Sequence, residues 1–336
     1  MIEGALAIVL NIIAIAALSF VVTGAVVSAL VSLFGDRFLR IEVTTRRTSL
    51  WLVASAPWTV SILVALFFLN SFFMGDTLSP SPVINSSLGD WHHFEHRSER
   101  EDWHHADAFY WASWHGLTLF MALAFCLWVG VKKGLELRRH RADMMQLMQK
   151  STAFSGNVTE VKSPQAYAFT TGFWHKRCFI SRGMLDGVSE PELNVILLHE
   201  QAHWNKNDPL KKWLFSILTA FFIPTLAQRL RLLMTLTMEQ AADNAVIKQG
   251  VEATLVARTL IKVARLNAQD TPMHHNDMVA SFGADVLEQR VYFLLGKLKL
   301  KPISKWCAWL FLGVMLGIAL PSVDGILHVM ETLFSH

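Results

Sequence analysis

The feature that most restricts what this chain can fold into is a series of apolar blocks, each long enough to cross a bilayer. A helix needs about 20 consecutive apolar residues for that. Gly4 to Phe34, Leu50 to Phe73 and Ala108 to Val131 all reach it, and a fourth block runs from Trp306 to about Val323. Composition agrees: 52% of the 336 residues are hydrophobic and 17% are charged, where soluble domains carry about a quarter charged residues. The first block is too long for a signal peptide, and Glu3 replaces the basic start such a peptide requires. It reads as an uncleaved span. Trp51, Tyr110, Trp111, Trp306 and Trp309 stand at block edges, where an aromatic ring can have one wet end.

Lys and Arg in the connections set the expected direction. Arg37, Arg40, Arg46 and Arg47 lie between the first two spans, and Lys132, Lys133, Arg138, Arg139 and Arg141 follow the third. Lys297, Lys299, Lys301 and Lys305 precede the fourth, while Arg97 and Arg100 in the 75–110 connection are outnumbered by acidic residues. The reading is a three-span membrane region over 1–131, a cytoplasmic domain over 132–305, and a fourth span with a short outside tail over 306–336. Both termini are then outside, as in a multi-pass protein of a bacterial inner membrane. The net charge of +3 gives no reason to expect nucleic acid as a partner. Cys126, Cys178 and Cys307 form no CxxC pair or disulfide framework.

Trp213 to Ala227 fits the scheme poorly, being apolar but short, with Pro224 inside it and basic residues on both sides. One helix is expected there, either buried in the domain or dipping into the inner leaflet.

The strongest local signal is His199-Glu200-Gln201-Ala202-His203, late in a run from Glu192 that reads as a helix with Ser189 and Glu192 at capping-box spacing. Residues four apart share a helical face, so both imidazoles can reach one metal ion. Glu200 lies beside that face and can take a proton from metal-activated water. A second helix, Met238 to about Gly250, carries Glu239 and Asp243 on one face among Ala, Met and Val. Glu239 is the candidate third ligand. Asp243 is the candidate acceptor for the outer ring proton of a ligand histidine. Two acidic residues at this spacing are otherwise surface charge. Ala166 to Thr171 and Lys176 to Ser181 read as a hairpin, whose edge could pair with an extended peptide or merely line the core. His274, His275 and Arg290 are candidate oxyanion donors, though each could be solvated or paired along a helix.

HExxH followed by ExxAD resembles the glutamate-ligand zinc peptidases, the gluzincins. The chain is more specifically similar to the BlaR/MecR-type membrane peptidases. The similarity extends to Ser163 to Phe169, Ile180 to Leu185, Asp208 and Leu287 to Leu295, and covers roughly 130–320. The resemblance implies a predominantly α membrane protein of four spans, with a gluzincin-like α+β zinc peptidase domain between the third and fourth. It implies one catalytic Zn²⁺, a protein or peptide substrate, and a place in regulatory signalling. The beta-lactam sensors of that group carry a penicillin-binding domain after the last span. Here only Ser322 to His336 follow, and no outside Ser-x-x-Lys signature is present. HtpX-type quality-control peptidases resemble the chain less, because they insert two spans between the histidines and the glutamate. A non-catalytic metal-sensing membrane protein is the other alternative. Self-association into a homo-oligomer stays open.

In the outside connection, His92, His93, His96, His104 and His105 alternate with carboxylates. This segment could bind a transition metal or respond to mild acid, or be a plain solvated loop.

Overall fold

A computed structural model describes residues 2–77, 108–149, 151–156, 158–172, 176–269, 277–298, 300–301 and scattered positions from 306 to 317. The histidines from His92 to His105, together with His274 and His275, lie outside the described residues, as does most of the expected fourth span. The chain is mostly helical and divides into two compact units.

One unit comprises Met1–Ala29, Ser55–Val131 and Leu310–His336. Three helices long and apolar enough to cross a membrane pass through it: α1 (Ala5–Phe34), α2 (Val43–Thr77) and α3 (Trp114–Gln149). At 1.5 Å per residue each is more than the roughly 30 Å of a hydrocarbon core. Leu6, Val21, Phe67, Phe120 and Leu127 are exposed along them, as lipid-facing side chains are. Ser61 Oγ on α2 donates to the Ala16 carbonyl of α1 at 2.6 Å, and Phe20 meets Trp58 edge-on at 4.9 Å. The third helix begins six residues later than its apolar block. Ala108–Phe109 (β2) pairs antiparallel with Ile2–Glu3 (β1), and the chain then turns through Tyr110 to Ser113. Residues 108 and 109 pair with Ile2–Glu3, and Asn11 Nδ2 donates to the Ala108 carbonyl, so apolar composition alone misplaced the helix start. Beyond Val131 the same helix continues to Gln149.

The second unit comprises Leu30–Ala54 and Lys132–Trp309. It therefore takes in the first turns of α2 as well as the segment after the third span. Arg46 shows why: it is 1% exposed, and its guanidinium donates to the Gln240 side-chain oxygen. A four-stranded sheet of β3 (Ser151–Ser155), β4 (Val158–Val161), β5 (Ala168–Thr171) and β6 (Arg177–Ser181) has the order β3-β4-β6-β5. β4 and β6 are parallel, and the other pairs are antiparallel. The hairpin expected from the sequence is β5–β6, and β5 is an edge of the sheet.

Among the described residues six helices follow: α4 (Arg182–Gly187), α5 (Glu190–Lys206), α6 (Asp208–Leu218), α7 (Pro224–Ile247), α8 (Ala253–Gln269) and α9 (Asp277–Leu294). Val195 of α5, Val246 of α7, Val256 and Ala257 of α8 and Leu294 of α9 form one buried cluster. Ala166, Ile180, Met184 and Ile196 form another, between sheet and helices.

The single helix expected over Trp213 to Ala227 is replaced by two. α6 ends at Leu218, a 3₁₀ turn covers Thr219–Phe221, and α7 starts at Pro224. Proline cannot continue a helix but suits the first helical position, where its missing N–H has no partner to lose. Pro224 opens a helix here.

Candidate metal centre

α5 is fixed at both ends. The Glu192 carboxylate accepts from the Ser189 backbone N–H at 2.8 Å and from its hydroxyl at 2.9 Å, and Pro191 occupies the first turn. At the other end Asn207 takes the left-handed conformation, φ 56°, which asparagine tolerates better than most residues. It closes α5 and starts α6 in one step. The corner is tight enough to bring Asp208, the first residue of α6, back against His203. Asp208 Oδ2 lies 2.7 Å from His203 Nδ1, and both residues are buried.

α7 supplies the opposite wall. Its inward face buries Met238, Gln240, Ala242, Asp243 and Val246. Asp243 Oδ1 lies 3.0 Å from His199 Nδ1. Each histidine thus faces a carboxylate through Nδ1 and directs Nε2 inward. His199 Nε2 is 3.1 Å from His203 Nε2 and 3.2 Å from Glu239 Oε2, and the third side of the triangle is 3.5 Å. Once deprotonated at Nε2, the two imidazoles and the carboxylate oxygen at these distances offer three electron pairs aimed at one point. Ligands about 2.0–2.1 Å from a tetrahedral Zn²⁺ stand about 3.3 Å apart. The three donors fit such an ion.

Two cations brace the carboxylates from behind. Arg290 of α9 donates Nη2 and Nε to the two oxygens of Asp243 at 2.7 and 2.9 Å, and its Nη1 is 3.4 Å from Glu239 Oε2. Lys212 Nζ on α6 lies 3.3 Å from the other Glu239 oxygen. Burial works against the charged forms throughout, yet the partners outweigh it. His199 and His203 are raised, the latter to about 9, because Asp243 and Glu239 face the first while Asp208 and Glu239 face the second. Glu239 is held well below the carboxylate range by both histidines and Lys212, and Asp243 is lowered by Arg290 and His199.

A cleft of about 330 Å³ opens over this cluster, and Glu200 lines it with His199, His203 and Glu239. Val195, Ile196, Val256 and Val263 give it apolar walls. β5 forms one side, tied to the metal helix by Thr170 Oγ1 donating to the Glu200 carbonyl at 3.1 Å. Ser181 locks the strand's approach: its Oγ accepts from Tyr167 N at 2.9 Å and from Met184 N at 3.1 Å. The family-like segments Ser163 to Phe169 and Ile180 to Leu185 are therefore two sides of one joint.

The structure brings His199, Glu200, His203, Glu239 and Asp243 into one place. Spacing could not reveal the contact of Asp208 with His203, because it depends on the left-handed corner at Asn207. The Asn-Asp-Pro sequence at 207–209 was the available signal. Lys212 gave none. Arg290, weighed above as an oxyanion donor or a solvated residue, lies mostly shielded against Asp243 and Glu239.

An HExxH helix whose two histidines could share a metal ion with a glutamate from a second helix, with three helices among the described residues long and apolar enough to cross a membrane, points to the class of membrane metallopeptidases. The family model described as BlaR1 peptidase M56 matches residues 15–294, and the chain belongs to that family. No curated protein matches the chain.

Proposed function

We propose that this chain is a zinc-dependent endopeptidase of a bacterial inner membrane that cleaves a cytoplasmic or membrane-proximal protein, within a regulatory circuit of the kind its family suggests. The convergence of His199 Nε2, His203 Nε2 and Glu239 Oε2 within the distances a tetrahedral ion needs carries this reading. Bound there, Zn²⁺ would polarise a carbonyl and acidify a water toward neutrality.

The chain's own residues have separable tasks. Glu200 accepts the proton of the water that attacks the peptide carbonyl and passes it to the leaving amine. Asp208 and Asp243 keep the ligand imidazoles turned with Nε2 inward. Arg290 and Lys212 hold Glu239 ionised and in place. The edge strand β5 offers backbone groups to an extended substrate by strand addition. The distribution of Lys and Arg supports a cytoplasmic 132–305 segment and outside termini, with a fourth span from Trp306.

A quality-control peptidase of the HtpX type is less well supported. It would need two spans between His203 and Glu239, where α6 has 11 residues and is about 16 Å long. A non-catalytic metal sensor has no need of a general base at Glu200.

The test is metal content and casein cleavage of the detergent-purified wild type, Glu200→Ala and Glu239→Ala. Zinc in the wild type and Glu200→Ala, little in Glu239→Ala, and cleavage by the wild type alone is the expected pattern. A wild type that cannot be loaded with zinc would overturn the assignment. Full zinc occupancy in Glu239→Ala would remove Glu239 from the ligand set.

A further inference from the structure

We propose that the turn joining α6 to α7, residues 219–225, is seated in lipid, at the membrane surface on the side that carries the metal cluster. From Trp213 to Gln228 the chain has no charged residue, and Lys211, Lys212, Arg229 and Arg231 flank this stretch. At its tip Ile223 is 60% exposed, with Pro224 and Thr225 exposed beside it, and Leu214 of α6 is 41% exposed. An isolated exposed aliphatic residue is ordinary. One contact makes this one informative, because it ties the hairpin to a level on a membrane-length helix.

Phe215 of α6 meets Trp51 edge-on at 5.3 Å. Trp51 stands four residues beyond Arg47 on α2, where the apolar run from Leu50 begins. On the other arm, Arg231 of α7 closes the base of the hairpin, donating Nε to Thr219 Oγ1 at 2.8 Å and Nη2 to the Ser216 carbonyl at 3.0 Å. From Arg231 back to Pro224 is seven residues, or about 10 Å of helix, which matches the 5–10 Å depth of interfacial segments.

Part of the turn's backbone is satisfied internally, as contact with lipid favours. Phe222 N–H donates to the Thr219 carbonyl at 3.3 Å, Ala227 N–H donates to Ile223 at 2.9 Å, and Pro224 has no N–H. Lys211 complements anionic headgroups beside the turn. α6 carries Asp208 and Lys212 at its other end, so the metal cluster stands within about 16 Å of the lipid. If the peptidase reading holds, on which this consequence rests, the peptide bond to be cut is presented at the membrane surface.

The test places a bimane probe on Ile223→Cys in the full chain, with Cys126 and Cys307 changed to serine and the buried Cys178 retained. The protein is reconstituted in phosphatidylethanolamine–phosphatidylglycerol vesicles. Leu123→Cys, exposed on α3, is the lipid reference, and Arg258→Cys, exposed on α8, the aqueous one. The proposal expects strong quenching of the Ile223 probe by 5-doxyl phosphatidylcholine, as at Leu123, and several-fold weaker quenching by iodide than at Arg258. Iodide quenching equal to that at Arg258 would overturn it. Protection from both quenchers would also overturn it, by putting a protein surface such as a second copy over the turn. No outcome depends on peptidase activity.

Discussion

Asp208 Oδ2 stands 2.7 Å from Nδ1 of His203, five residues back along the chain and across a helix boundary. The carboxylate fixes which imidazole nitrogen carries the proton, and so leaves Nε2 free for a metal. Outer partners of this kind typically contribute 10–100-fold to metal affinity. Asp208→Asn keeps the shape but loses the charge. Its zinc affinity, measured by competition with a chromogenic chelator, is expected to fall about tenfold or more. Wild-type affinity in this variant would make the contact incidental.

Arg290 and Asp243 form a bidentate pair, Asp243 buried and Arg290 nearly so, with side-chain exposures of 0% and 13%. Removing Arg290 leaves the buried Asp243 charge with His199 alone, a loss of up to about 3–5 kcal/mol. Arg290→Ala should lower the thermal unfolding midpoint of the detergent-purified protein sharply. Arg290→Lys, which keeps the charge but not the fork, should fall between it and the wild type. An unchanged midpoint in Arg290→Ala would show that the pair contributes nothing to stability.

Without metal, His203 titrates near 9 in the folded state against 6.5 for an unperturbed histidine. Its folded pKa is raised, so its contribution is fully present below about pH 6.5 and lost as pH rises through about 9. Glu239 and Asp243 are shifted the other way, and their contributions disappear on acidification through the carboxylate range. The metal-free protein should therefore lose thermal stability between pH 6.5 and 9. Zinc affinity should rise over the same interval, because the ion displaces the proton. Unfolding midpoints of chelator-treated and zinc-loaded protein across this range check both signs. A chelator-treated midpoint that rises with pH would contradict them.

Gly183 sits where a Cβ would lie 1.8 Å from the Pro164 carbonyl oxygen, and its own N–H donates to the Ser163 carbonyl at 2.9 Å. Backbone cannot yield as a side chain can. Gly183→Ala should cost at least the 1–3 kcal/mol typical of overpacking, and should loosen the joint that seats β5 beside the cleft. Gly187→Ala is the comparator, since its Cβ would meet only the flexible Leu266 side chain, nearest at Cδ1 2.9 Å away. Equal midpoints for the two variants would refute the argument.

Much of the architecture could be read from local pattern. Apolar length marked the three membrane helices, and the spacing of Ser189, Glu192, His199 and His203 marked α5. Two strand-like runs, Ala166 to Thr171 and Lys176 to Ser181, marked β5–β6. Local pattern failed where a segment's fate depends on a distant partner. Ala108–Phe109 is apolar enough to begin a helix, but becomes a strand because Ile2–Glu3 is there to pair with it. Trp213 to Ala227 looked like one interrupted helix because hydropathy does not register that Pro224 opens a second one.

The sequence by itself determined which residues can share a helical face: His199 with His203, and Glu239 with Asp243. That follows from a fixed helical period, whatever else the chain does. Only the tertiary structure decided that these two faces oppose each other at ligand distances, with Asp208, Lys212 and Arg290 arriving from α6 and α9 to brace them. It also decided that Arg46, expected only as a topology-setting charge, is buried against Gln240, next to Glu239. Convergence of side chains from separate helices depends on how those helices pack, and no period along one of them records it.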